Sequence, residues 1–307
     1  MASWRARGIS AAIRLCVRRQ TWGDDEHALA RRARRLLNTL RPLGWLPSLD
    51  VTVRPVRDGG VRGEWVVSEP SRNGAILYLH GGGYVSGSPA THRPLTAALA
   101  RRTGRRVFAL DYRLAPEHRF PAAVDDAVAA YRWMLSAGIA PASIAVAGDS
   151  AGGGLALAML LRIRDEGVAL PSCAVCFSPW TDLQGTGDSL RLNMGRCAMF
   201  HPHNIQQFAL AYLHGESPLN AYASPAFGHL GGLPPLLLQT GSGELLLDDA
   251  RRVDAAVREA SGTSCLQIFQ DMFHVWQLFG GIVPEADRAL HQAASFMNEQ
   301  QHRGHCG

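Results

Sequence analysis

Gly148-Asp149-Ser150-Ala151-Gly152 joins two runs of different character. Before it, Ile144-Ala145-Val146-Ala147 is a short apolar stretch that reads as a buried strand; after it, residues 151–166 are rich in Ala, Leu and Met and read as a helix. A serine with glycines at minus two and plus two fits a tight strand-to-helix turn, since only small residues let the backbone pass so close to its neighbours. Such a turn lifts the hydroxyl clear of the sheet, where a substrate carbonyl can reach it. The plainer role for Ser150 is a helix N-cap. A second stretch, His80-Gly81-Gly82-Gly83-Tyr84, follows another strand-like run, Ala75-Ile76-Leu77-Tyr78-Leu79. Three successive glycines leave backbone N–H groups uncovered, free to face the oxyanion formed when a serine attacks an acyl carbon. A merely flexible turn would not explain why both motifs fall at expected strand ends, where ligands bind in open α/β sheets.

The rest of the chain supplies the matching frame. Residues 1–45 look helical and end near Pro42 and Pro47. Val51–Pro55 and Val61–Val67, parted by Asp58-Gly59-Gly60, carry a hairpin signal. Strands at Ile76–Leu79, Val107–Leu110, Ile144–Ala147, Cys173–Phe177, Leu236–Thr240 and Cys265–Phe269 then alternate with helices near 91–102, 122–136, 151–166, 249–260 and 285–298. Alternation of this kind predicts an α/β fold with a mostly parallel central sheet and helices on both faces. The rhythm breaks at about 184–223, where a helical run from His203 to Leu213 sits in a gap too long for a simple loop. That segment and the N-terminal helices are expected to form a helical cap (1–45 plus the insertion) over a catalytic domain at 46–303, the alternative being an ordinary crossover helix with long flanks.

Composition narrows the function classes. With 307 residues and 47% hydrophobic content, the chain can bury a large single core. No run of 18 apolar residues is present, so a spanning helix is not expected. The N-terminal arginines 5, 7, 14, 18 and 19 alternate with apolar residues but lack the continuous apolar stretch of a secretory signal. A soluble helix covering its own protein is expected there, ahead of one lying on a membrane. The net charge is +5 and all 31 basic residues are arginine, scattered without an aromatic-interleaved stripe, so no nucleic-acid partner is expected. Six cysteines without a disulfide-like spacing fit a reducing, cytoplasmic setting. Cys173 and Cys176 lie three apart on an expected strand and so point to opposite faces, which disfavours metal or redox work. The tail from His302 to Cys306 is read as a frayed terminus rather than a metal site.

With these residues in view, the chain resembles the hormone-sensitive-lipase-like branch of α/β-hydrolases, the bacterial family IV esterases. The likeness rests on His80–Tyr84, on Asp111-Tyr112-Arg113-Leu114-Ala115-Pro116-Glu117-His118, on Phe120-Pro121-Ala122-Ala123 and on Gly148–Gly153, in the family's order and approximate spacing from about residue 50 to 300. In such enzymes the nucleophile is followed along the chain by an acid and then a histidine. His274, a few residues past the last strand, is the candidate base; other histidines precede the acid or lie in the terminal helix. The acid is expected in a D-P-L-x-D pattern, which here reads Glu244-Leu245-Leu246-Leu247-Asp248. Glu244 is favoured by order and loop placement. Asp248 and Asp249 compete but suit a helix start, and Asp271 shares the histidine's own loop.

The resemblance implies an oxyanion hole from the N–H groups of Gly82, Gly83 and Ala151, with Gly81 shaping the turn. His80 is expected to fix that loop, Asp149 to support the turn or charge the helix start, and Asp111–His118 to brace the fold below. Tyr84 and Trp276 are candidates for the pocket wall or for plain core. The implied activity is serine carboxylesterase action on small to medium acyl esters, with no metal or organic cofactor and a possible homodimer. An amidase or lactonase on the same triad is the alternative. A non-catalytic ligand receptor would have no use for a histidine at position 274.

Overall fold

The computed structural model describes residues 2–20, 22, 25–40, 50–71 and 73–305. The expected cap boundary near residue 45 and the side chains of the terminal run 302–306 lie outside them. In chain order the elements begin with α1 (Trp4–Cys16), α2 (Glu26–Leu40), β1 (Thr52–Asp58), β2 (Val61–Val67), β3 (Ala75–Leu79), α3 (Arg93–Thr103), β4 (Arg106–Leu110) and α4 (Ala122–Ser136). They continue with β5 (Ile144–Asp149), α5 (Ala151–Asp165), β6 (Cys173–Phe177), α6 (Ser189–Leu192), α7 (Pro202–Leu213), β7 (Leu236–Gly241), α8 (Leu247–Glu259), β8 (Ser264–Phe269) and α9 (Pro284–His305).

The strands form one sheet in the order β1-β2-β4-β3-β5-β6-β7-β8. β2 is antiparallel to β1 and β4, and every other neighbouring pair is parallel. This is the mostly parallel sheet expected from the alternation, and the α/β-hydrolase architecture that the resemblance implies. β1 runs three residues beyond Pro55, because an edge strand leaves a proline's missing N–H harmless; Pro55 still registers with Glu64.

Strand side chains alternate between two cores. On one face, Leu77 and Leu79 pack with Val124 of α4 and Leu155 of α5; on the other, Ile76 and Tyr78 pack with Leu95 of α3 and Leu290 of α9. Cys176 belongs to the first core and Cys173 to the second, so the two thiols lie on opposite faces. Burial pushes them up to about 12 and about 11, which keeps both unreactive.

The chain sends β4 to one side of β3 and β5 to the other. The switch point therefore falls between the carboxyl ends of β3 and β5, where the glycine loop and the Ser150 turn emerge. α1 buries Ala6 and Ile13 in the first core, so it does cover its own protein. Among the described residues no helix is long and apolar enough to cross a membrane.

The β5–α5 turn leaves no space for a side chain at Gly152, where a Cβ would stand 2.0 Å from the Leu79 carbonyl oxygen. Gly152→Ala is therefore expected to lose about 1–3 kcal/mol of stability, read as a lowered urea midpoint. An unchanged midpoint would contradict this packing.

Candidate active site

Three loops at the carboxyl edge bring together residues 94 and 30 positions apart in sequence terms from Ser150 to Glu244 and from Glu244 to His274. Ser150 heads α5 with φ 53° and ψ −123°, and its side chain makes no capping bond, so the N-cap alternative is not what the hydroxyl does. Instead Ser150 Oγ lies 2.8 Å from His274 Nε2, and His274 Nδ1 lies 2.6 Å from Glu244 Oε2. A carboxylate only accepts, so Nδ1 carries the proton and Nε2 is left to accept from the serine hydroxyl. His274 and Glu244 are both buried.

Glu244 is held from several sides. Its Oε1 accepts from Ser178 Oγ at 2.8 Å and from the Gly241 N–H at 2.5 Å, and its carbonyl accepts from Asn193 Nδ2 at 2.8 Å. Ser178 Oγ also accepts from the Val275 N–H at 3.2 Å, so one buried hydroxyl orients both the acid and the histidine loop. Sequence reasoning missed Ser178 and Asn193. The only signal for Ser178 was a small polar residue placed directly after a buried strand.

The competing acids lie elsewhere. Asp248 accepts from the Ser189 N–H at 2.7 Å and pairs with Arg251 at the start of α8. Asp249 is buried and accepts from the N–H groups of Thr181 and Asp182; burial lifts its carboxyl to about 7. Asp271 faces Arg196.

The N–H groups of Gly82 and Gly83 donate to no acceptor among the described residues. That of Ala151 is the first in α5, which no helix can satisfy from within. Gly82, Gly83 and Ser150 line one cavity of about 140 Å³. Gly81 is pinned by Asp149, whose Oδ1 accepts its N–H at 3.0 Å. Asp149 thus ties the serine turn to the glycine loop through side-chain bonds. Tyr112, from the stretch expected to brace the fold, donates to the His80 carbonyl at 2.7 Å.

His80 donates from Nδ1 to Gly81 O at 2.8 Å, and burial, with His92 nearby, lowers its imidazole to about 3. It is a neutral strut. Of the two alternatives for Tyr84 and Trp276, pocket wall or core, both residues take the core. Tyr84 stacks on Tyr212 at 3.8 Å within the core, and Trp276 packs against Phe269 while its Nε1 donates to Glu285 O. The cavity wall comes instead from Trp22, Trp180, Phe200 and Phe208, with aliphatic Val17, Leu36 and Ile205. A Cβ at Gly83 would stand 2.6 Å from Phe208, so the α7 ring rests directly on the glycine loop.

The covering segments are stitched by arginines. Arg14 and Arg18 of the N-terminal segment donate to the carbonyls of Arg196 and Cys197. Arg34 of α2 donates to Val85 O and Ala115 O and forks onto Glu117, holding that carboxyl down at about 2.

Comparison with known proteins agrees with the fold. A family model described as alpha/beta hydrolase fold matches residues 76–278. An acetyl-hydrolase of Streptomyces hygroscopicus is 45% identical over 255 residues, covering 83% of this chain and 84% of its own. An esterase of Acinetobacter venetianus is 39% identical, covering 80% and 82%. A solved esterase from the bacterial hormone-sensitive lipase family superposes with a TM-score of 0.90 at 40% identity, covering 98% of this chain and 100% of that one. The chain belongs to the α/β-hydrolase family, in its hormone-sensitive-lipase-like esterase branch. It is a carboxylic ester hydrolase.

The buried neutral state of His80 has a pH consequence. The unfolded imidazole titrates near 6.5 and the folded one near about 3, so acid between those values protonates only the unfolded chain and draws the equilibrium toward it. Urea midpoints should fall from pH 7 to pH 4.5, and His80→Phe, though less stable at pH 7, should show a shallower fall. An equal or steeper fall in the variant would contradict a neutral His80.

Proposed function

We propose that Ser150 is the nucleophile, His274 the general base and acid, and Glu244 the orienting carboxylate of an ester hydrolase that works through an acyl-enzyme. The observation that carries this reading is the unbroken line from Ser150 Oγ to His274 Nε2 at 2.8 Å and from His274 Nδ1 to Glu244 Oε2 at 2.6 Å. Ser150 Oγ attacks the ester carbonyl as His274 Nε2 takes its proton. Glu244 keeps Nδ1–H in place and offsets the imidazolium charge. The carbonyl oxygen, now negative, is met by the N–H groups of Gly82, Gly83 and Ala151, donors that are already fixed before charge develops. His274 then hands its proton to the leaving alcohol, and water repeats the sequence to release the acid.

The substrate is a small to medium acyl ester. The N-terminal segment and the 184–223 segment act as a cap: Val17 and Trp22 from the link between α1 and α2, Leu36 from α2, and Phe200 and Phe208 from the second segment line the cavity over Ser150. Its size, about 140 Å³, is comparable to the ~150 Å³ apolar cavities that take up one benzene ring. The name of the Streptomyces relative, an acetyl-hydrolase, fits the same size range.

Ser150→Ala should abolish hydrolysis of p-nitrophenyl acetate and butyrate while circular dichroism stays unchanged. Glu244→Gln should retain structure and lower kcat by about 10⁴, the scale seen when a triad acid loses its charge. Turnover surviving in Ser150→Ala would rule out this nucleophile. In the unaltered enzyme, kcat/KM should fall steeply between hexanoyl and dodecanoyl esters, and Phe208→Ala should flatten that fall. A profile that rises with chain length would contradict a cavity of this size.

A further inference from the structure

Beneath the glycine loop lies a buried polar cluster that the proton relay does not use. Asp149 Oδ1 accepts the Tyr78 hydroxyl at 2.5 Å and the Gly81 N–H at 3.0 Å. Its Oδ2 stands 3.4 Å from His92 Nε2. His92 sits immediately before α3, is closed to solvent, and contributes to the cavity wall beside Ser150.

The groups around this ring suit protons on both of its nitrogens. Nδ1 lies 3.3 Å from the Ser88 carbonyl, which can only accept. It also lies 2.9 Å from Thr91 Oγ1, which itself lies 2.9 Å from that same carbonyl. Nδ1 thus faces a carbonyl and a hydroxyl, and Nε2 faces a carboxylate oxygen. Each ring nitrogen has an acceptor before it, as an imidazolium needs. The surroundings agree. Burial alone would lower the His92 imidazole, yet the Asp149 charge holds it above the ordinary value. The stacked His80 ring, 5.4 Å away, is neutral, Tyr78 keeps its proton on Asp149, and Arg93 beside it in the chain is taken by Glu64. Tyr112, from beyond β4, directs its hydroxyl to the His80 carbonyl.

We propose that His92 is a positioning residue for the reaction above: as an imidazolium it clamps Asp149 in the orientation that holds Gly81, and with it the Gly82 and Gly83 amides, beside Ser150. Asp149 is both the residue before the nucleophile and the acceptor for the glycine loop, so one carboxylate sets the spacing between Ser150 and its oxyanion donors. Without His92 its Oδ2 would be a buried charge lacking its partner, which favours protonation or rotation of the carboxyl.

The inference rests on the Ser150 reading, and one experiment separates the two. Full-length wild type, Ser150→Ala and His92→Gln are assayed with p-nitrophenyl acetate from pH 5 to 9, and binding of a trifluoromethyl ketone is measured. His92→Gln is expected to lower kcat about tenfold, below the ~10²–10³ of removing an oxyanion donor outright, with KM nearly unchanged. Ketone affinity should weaken by the same factor. Wild-type kcat should decline on the alkaline side as His92 gives up its proton, and the variant should lack that decline. Turnover lost in Ser150→Ala but unaltered in His92→Gln, or an alkaline decline kept by His92→Gln, overturns this inference alone. Turnover surviving in Ser150→Ala overturns the underlying reading and this one with it. Should His92→Gln not fold, ¹⁵N-histidine spectra of the wild type decide: protons on both ring nitrogens at neutral pH support the clamp, and one proton overturns it.

Discussion

The backbone of Ser150 is the constraint on which the rest depends. A non-glycine residue at φ 53° and ψ −123° is held at a cost of about 1–3 kcal/mol. The turn persists because its neighbours over-determine it. The Ser150 N–H donates to Phe177 O at 2.8 Å, and its carbonyl accepts from Gly153, Gly154 and Trp180. Those bonds need the parallel register that sets Asp149 opposite Phe177, and the glycines that let α5 start against β3. Once the turn is fixed, the hydroxyl has one place to be, and the loops after β7 and β8 are built toward it.

The loops differ in how firmly each is tied. Glu244 is gripped by Ser178, Gly241 and Asn193, so the acid is anchored to β6, β7 and the end of α6 together. The glycine loop hangs from Asp149 on one side and carries Phe208 of α7 on the other. The glycine loop is therefore held by the serine turn and by α7 together. Arg14, Arg18 and Arg34 complete that join by donating to main-chain carbonyls, partners that any backbone offers and that no sequence pattern marks.

Much of this was legible beforehand. The alternation of apolar runs with helical stretches gave the strands nearly to the residue, because buried parallel strands such as Cys173–Phe177 are apolar without interruption. That Ser150, Glu244 and His274 would meet could be expected since turn chemistry and chain order constrain them locally, and the structure brings the three together. What escaped was long-range. Ser178, a lone polar residue between Phe177 and Pro179, and His92 have partners that lie 66 and 57 residues away. Tyr84 and Trp276 were open between pocket and core because an aromatic beside a motif carries no sign of the direction its ring takes; Tyr84 turns inward onto Tyr212. The arginines are scattered along the sequence, and their bonds to distant main-chain carbonyls emerge only from the fold.

The most direct test of the central claim is to trap the acyl-enzyme. The protein is mixed with a short-chain p-nitrophenyl ester, quenched in acid within the first turnover, digested and examined by mass spectrometry. The account predicts one acylated peptide, with the added mass on Ser150. Acylation at another side chain, or hydrolysis with no acylated peptide in either wild type or a slowed Glu244→Gln enzyme, would contradict it.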